Sequence, residues 1–287
     1  MTGDEITLGF RAFDVHELLL HFIALKLGYY DNAGLRVSLR DLTFVTDYRE
    51  HALSVACGSA LVARAQGIAQ KVVFIGTDYP MFWVYGKIPA KASPESIAVG
   101  AKPRIATFPP LSPPWYLLPL VLRGRGIDPQ AIDLLPVRDD VGRLGLLRSG
   151  NVDAAVISSA FPPPKMQQFG FAPCVFFGSQ LRLPTTGLTA SEEMIRTRPD
   201  VVQRFVSALL RSLSAVRGRE NDVVSVVGDV LGEGENLARQ TYDLIAPYFS
   251  GDGRGDASSR RSALEFANAE FGQHLKEEDV YEFAFLS

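Results

Sequence analysis

A chain of 287 residues, 47% hydrophobic and 21% charged, has ordinary globular composition and the length of about two domains. Its 29 basic and 32 acidic residues leave a net charge of −3, which excludes the basic field that holds a nucleic-acid backbone. Cys57 and Cys174 match no CxxC or metal spacing, so neither a disulfide framework nor a structural metal is indicated, and no cofactor is implied.

The longest apolar stretches, 15–30 and 114–122, are broken by His, Lys or Pro and fall short of the roughly 18 residues of a membrane helix. No direct membrane insertion is expected. The opening MTGDEITLGF enters a strand pattern at once, without a basic or apolar leader. It fits a cytosolic protein, or an exported one whose signal has been exchanged for a start Met.

In chain order, Ile6 to Phe10 reads as a buried strand. Val15 to Tyr30 carries apolar residues at helical spacing, stopped by Gly28 and the turn Asp31 to Gly34. Leu35 to Leu42 alternates as a strand, Ala52 to Cys57 is a short apolar run, Ala60 to Gln66 a helix closed by Gly67, and Lys71 to Gly76 a strand. This order predicts a largely parallel sheet covered by helices. After an extended stretch at Met81 to Tyr85 the pattern restarts: strand Arg104 to Phe108, helix Pro113 to Arg123, strand Asp133 to Val137, helix Val141 to Ser149, strand Ala154 to Ile157. Short strands follow at Cys174 to Gly178 and Leu188 to Ala190. Beyond Ser191 the chain reads as helices at 191–197, 199–216, 220–231, 234–247 and 257–273, which have no strands of their own to cover and are expected to pack on the first α/β unit.

Four segments in this order carry a resemblance: Leu25-Lys-Leu-Gly-Tyr-Tyr-Asp-Asn-Ala-Gly-Leu-Arg-Val37; Gly126-Ile-Asp-Pro129 followed by Ile132-Asp-Leu-Leu-Pro-Val137; Ser149-Gly-Asn-Val-Asp-Ala-Ala-Val156; and Arg198-Pro-Asp-Val-Val-Gln-Arg-Phe-Val-Ser-Ala-Leu209. With them the chain resembles the type II periplasmic solute-binding fold, in the branch that serves sulfonate, nitrate, taurine and thiamine-pyrimidine importers. The resemblance implies an α/β protein of two lobes, residues 1–84 with 184–287 and residues 85–183, joined by a hinge that the chain crosses twice, near 82–90 and near 179–186. It also implies a monomer that closes on a small organic ligand and presents it to the membrane permease of an ABC importer, in the periplasm if the chain is exported and otherwise in the cytoplasm.

In an open α/β sheet a ligand lies at the carboxyl ends of the strands. The candidates there are Arg11, Phe13, Asp14 and His16; Gly58, Ser59 and Ala60; Thr77, Asp78 and Tyr79; Pro110, Leu111, Ser112 and Trp115; Ser158, Ser159 and Phe161; Thr185 and Thr186. Arg11 has the planar fork that pairs with a carboxylate, sulfonate or phosphate, although most arginines are solvated surface charges. Asp14 either neutralises it or caps the next helix. His16 and His21 are either cleft or core residues. Ser112 before Pro113, and Ser59 after Gly58, mark helix starts whose amides attract anions; each is equally a plain cap or a packing position. Phe13, Trp115 and Phe161 offer flat faces for stacking or simply belong to the core. Cys57 precedes a helix start, a setting that lowers a thiol pKa, or it is a small buried residue.

These residues predict a small, flat, aromatic or heteroaromatic ligand with an anionic group. An enzyme on the same fold is the alternative, similar to the pyrimidine synthase of thiamine biosynthesis or to sulfinate-cleaving and decarboxylating relatives. Here the synthase's cysteine-rich motif is absent, and the Arg11 to Asp14 stretch stands where the sulfinate-cleaving relatives place a cysteine. A cytosolic ligand sensor is a third reading.

Overall fold

The computed structural model describes residues 3–42, 52–86, 102–110 and 112–286, and divides the chain into two units. Unit 1 holds Met1–Tyr79 and Arg182–Ser287, and unit 2 holds Pro80–Leu181. The chain therefore leaves unit 1 after Tyr79 and re-enters it at Arg182.

In unit 1, β1 (Asp4–Phe10) pairs in parallel with β2 (Leu35–Asp41) and β3 (Leu53–Ser54). β4 (Gln70–Thr77) and β10 (Thr186–Ser191) complete a sheet of order β2-β1-β3-β10-β4. β10 runs antiparallel to both its neighbours, so the sheet is mixed where the sequence pattern predicts a largely parallel one. The returning chain enters this sheet from the opposite direction, and the local pattern of a buried strand carries no direction.

Helix α1 (Val15–Lys26) ends earlier than its apolar spacing predicts. Gly28 adopts φ 68°, breaks the helix, and starts the separate single turn α2 (Tyr29–Asn32). Helix α3 starts at Cys57 and runs to Ala65, so Gly58 and Ser59 lie inside its first turn rather than before it. In unit 2, β5 (Trp83–Gly86), β6 (Arg104–Thr107), β7 (Asp133–Pro136), β8 (Ala154–Ile157) and β9 (Pro173–Phe176) form a sheet of order β7-β6-β8-β5-β9. Trp83–Gly86, expected as a crossing segment, hydrogen-bonds antiparallel between β8 and β9. Helix α4 (Pro113–Gly124) follows β6, α5 (Asp140–Arg148) follows β7, and the short α6 (Pro163–Gln168) opens on the prolines that follow Phe161. Proline suits a first helical turn because no amide is needed there.

The C-terminal helices belong to unit 1: α7 (Glu192–Thr197), α8 (Pro199–Gly218), α9 (Glu220–Leu231), α10 (Glu235–Ile245), α11 (Ala257–Phe271) and α12 (Glu277–Val280). Val201, Val202, Phe205, Val206, Leu209, Leu213 and Val216 of α8 recur at helical spacing and are all buried, and α1 packs on α8 and α9. Each such side chain stabilises the fold by about 1.5–3 kcal/mol. No described helix is long and apolar enough to cross a membrane.

Candidate functional site

In unit 1 the turn after β1 is organised by Asp14 and Glu17. Asp14 caps α1, its Oδ1 accepting the Glu17 N–H at 2.6 Å. The Glu17 carboxylate reaches back past the cap, and its two oxygens accept the N–H groups of Arg11 and Ala12, each at 2.9 Å. Asp-x-x-Glu at a helix start is a capping-box signature, and Glu17 is a residue that the sequence reading missed despite it. Glu17 is buried; desolvation first, and the neighbouring Asp14 charge second, push its carboxyl up to about 8. The cap reading of Asp14 is the one its contacts express.

With its backbone so held, Arg11 lines a cavity of about 10 Å³ together with Leu42, Ser54, Ala56, Ser59, Ala60 and Gln70. That is about the room one water molecule needs. Nη1 of Arg11 donates to the Leu42 carbonyl at 3.4 Å. The structure thus brings Arg11, Ser59 and Ala60 together: a guanidinium beside the first turn of α3. Gly58 stands apart, its N–H donating to the Thr185 carbonyl at 3.2 Å.

The other unit 1 candidates are engaged within the fold. His16 Nε2 lies 2.9 Å from Thr185 Oγ1, which donates to the Thr77 carbonyl at 3.3 Å, and Thr186 Oγ1 donates to the His16 carbonyl at 3.4 Å. His16 is buried and its pKa falls to about 3 because burial penalises the imidazolium. Thr77 Oγ1 donates to the Tyr248 carbonyl and accepts the Tyr79 N–H. Both carboxylate oxygens of Asp78 accept from Arg182, whose guanidinium also lies 4.5 Å from the Tyr79 ring centre. Phe13 is 54% exposed, with its ring set edge-to-face against Phe10 and Phe22.

In unit 2, Ser112 does not cap α4 with its side chain; its hydroxyl donates to the Pro109 carbonyl at 2.6 Å. Pro113 and Pro114 carry no N–H, and the Trp115 N–H donates to the Ser112 carbonyl. The second proline and this turn leave the α4 start with fewer outward amides than its sequence promises. Leu111 lies outside the described residues, and Trp115 is half-buried.

Ser158 gives both its N–H and its hydroxyl to the Asp140 carboxylate, at 2.9 and 2.7 Å. Asp140 also accepts from Arg143, a fully buried arginine that donates to the carbonyls of Val137, Arg138 and Val156 and lies 3.6 Å from the centre of the Phe108 ring. This pair ties the carboxyl ends of β6, β7 and β8 together, and spacing alone did not reveal it. Ser159 is buried; Phe161 is half-buried, with Phe169 6.4 Å away and Lys165 Nζ 5.1 Å from its ring centre.

Cys57, the first residue of α3, is buried and donates to the Phe74 carbonyl. Burial raises its thiol pKa, against the lowering that a helix start favours. The core reading of Cys57 is the one its surroundings express. Among the described residues no group of three His, Cys, Asp or Glu side chains is placed to hold a metal.

Two sheets of this kind, with one unit inserted into the other along the chain, are the periplasmic-binding-protein fold. The ligand-binding component of an ABC-type import system from Staphylococcus aureus, solved with zinc bound, superposes with a TM-score of 0.79 over 99% of this chain and 98% of its own, at 14% identity. The alkanesulfonate-binding protein SsuA from Xanthomonas axonopodis pv. citri, bound to MOPS, gives 0.74 over 99% and 100%, at 14% identity. The desulfurization enzyme DSZB gives 0.66 over 99% and 97%, at 17% identity. At these identities the likeness is one of fold. No protein-family model matches the sequence, and no curated protein matches it significantly.

Proposed function

We propose that this chain is the solute-binding protein of an ABC importer and closes on a small organic anion, the anionic group meeting Arg11. The observation that carries the reading is the convergence of Arg11 with Ser59 and the first turn of α3 on one small cavity. A fixed guanidinium and a helix start both favour negative charge. The fold is shared with an ABC-type import component and with an alkanesulfonate-binding protein bound to MOPS, which supports a sulfonate or chemically similar headgroup. Trp115 and Phe161, both half-buried, are the proposed stacking faces for a flat part of the ligand. The partner is then a membrane permease and the site of action extracytoplasmic, with the protein acting as a monomer. The enzymatic alternative draws nothing from Cys57, whose thiol is buried and held protonated.

Thermal denaturation with MOPS and other sulfonates, aromatic carboxylates, pyrimidines and their phosphates tests this. Binding to the native state alone adds about 2.7 kcal/mol at a hundredfold excess over Kd, enough for a clear rise in midpoint. A stabilising anion whose affinity drops at least tenfold in Arg11→Ala is the expected result. Hits confined to cations or sugars, or an anion indifferent to Arg11→Ala, overturn the reading.

A further inference from the structure

Where the chain leaves unit 1 and where it returns, 104 residues apart in sequence, two side chains join the crossing segments. The β4–β10 ladder does not stop at the Thr77 and Thr186 pair. Thr185 N–H donates to the Thr77 carbonyl at 3.1 Å, and Leu183 N–H to the Asp78 carbonyl at 2.8 Å. Pro80 then has no amide to give, and Leu183, preceding Pro184, is restricted to extended backbone. At this last rung Arg182 Nη2 donates to both Asp78 oxygens, at 3.0 and 2.8 Å. Asp78 Oδ2 also accepts the Asp256 N–H at 2.9 Å, and the Asp256 carboxylate stands 3.7 Å from Arg182 Nη1. The Asp78 side chain is only 5% exposed, so these partners take the place of water around its carboxylate. On the far side, backbone pairing resumes within unit 2 where Phe177 N–H donates to the Phe82 carbonyl at 2.9 Å.

We propose that Asp78 and Arg182 form a hinge clamp: they bind the outgoing and returning segments into unit 1 as one rigid rung and confine bending to Pro80–Met81 and Gln180–Leu181. Asp78 and Tyr79 are thereby assigned to the hinge and not to a ligand. The physical ground is local stiffness. Paired strands joined at their end by an ion pair to a buried carboxylate open together or not at all, whereas segments outside the ladder bend at lower cost. The clamp does not depend on the identity of any solute.

The test places spin labels at two exposed positions, one in each unit, by Arg125→Cys and Asp243→Cys in a Cys174→Ser background, and reads the distance distribution by pulsed dipolar spectroscopy without solute. Amide exchange over 182–185 is read on the same proteins. Arg182→Ala is expected to broaden the distribution and to raise exchange over 182–185 at least tenfold, while exchange in α8, also in unit 1, stays as it was. Arg182→Lys keeps the charge but loses the fork, and should fall between; it also serves if Arg182→Ala fails to fold. An unchanged distribution in the folded variant, or exchange that rises equally in α8, overturns the clamp.

Discussion

The Tyr30 hydroxyl lies 2.7 Å from Nδ1 of His21, whose Nε2 lies 3.1 Å from the Gly187 carbonyl. A carbonyl only accepts, so Nε2 carries the hydrogen and Nδ1 accepts from Tyr30. The histidine is buried and neutral, its pKa lowered to about 4 chiefly by burial.

Acid sensitivity follows from this pair and from His16. Both folded-state pKa values, about 4 and about 3, lie below the ordinary value of 6.5, so the unfolded chain binds protons that the folded one refuses. Their contribution to stability is complete above pH 6.5 and is lost as pH falls toward 4 and 3. Between pH 6.5 and 4.5, where the two histidines outweigh the single opposing Glu17, urea midpoints should decline, and the decline should be shallower in His21→Gln, whatever its stability at neutral pH. An equally steep decline in the variant would contradict the assignment.

Glu17 acts in the opposite sense. Its folded pKa of about 8 lies above the ordinary 4.5, so the proton taken up on folding adds stability that is whole below pH 4.5 and lost as pH rises through 8. The midpoint of Glu17→Gln, measured against the parent, should therefore lie furthest below it at pH 5 and close the gap toward pH 9.

Arg143 and Asp140 should be the most costly pair to break in unit 2. Arg143→Met strands a largely buried carboxylate and three backbone carbonyls, and a loss of about 3–5 kcal/mol is expected in denaturant unfolding. The double variant Arg143→Met with Asp140→Asn should recover part of it. A loss below about 1 kcal/mol in the single variant would mean that the pair is dispensable.

Gly187 admits no side chain. A Cβ there would stand 2.0 Å from the Phe74 carbonyl oxygen across the β10–β4 ladder. Gly187→Ala must push the two strands apart, at a cost of about 3 kcal/mol or more. Gly145, whose Cβ would meet nothing, provides the control, since Gly145→Ala should leave the thermal midpoint unchanged or raise it.

The elements that depend on neighbours in sequence were legible without a structure. The spacing of Val201 to Val216, the proline opening α4, and the runs that became β1, β6 and β8 are set by backbone preference and by which face of a segment is apolar. The α/β class and the resemblance to binding proteins rest on the order of such segments, and the shared fold agrees with them. What the tertiary structure alone decided are relations between distant positions: the antiparallel entry of β10, the seating of Trp83–Gly86 within the unit 2 sheet, and the pairing of Asp78 with Arg182. The same holds for Ser158, whose hydroxyl looks free in sequence and belongs to Asp140 in space. Hydrogen-bond partners and burial depend on which segments meet in three dimensions. A side chain's chemistry is written in the sequence, but whether that chemistry faces a solute or a neighbour is set by packing.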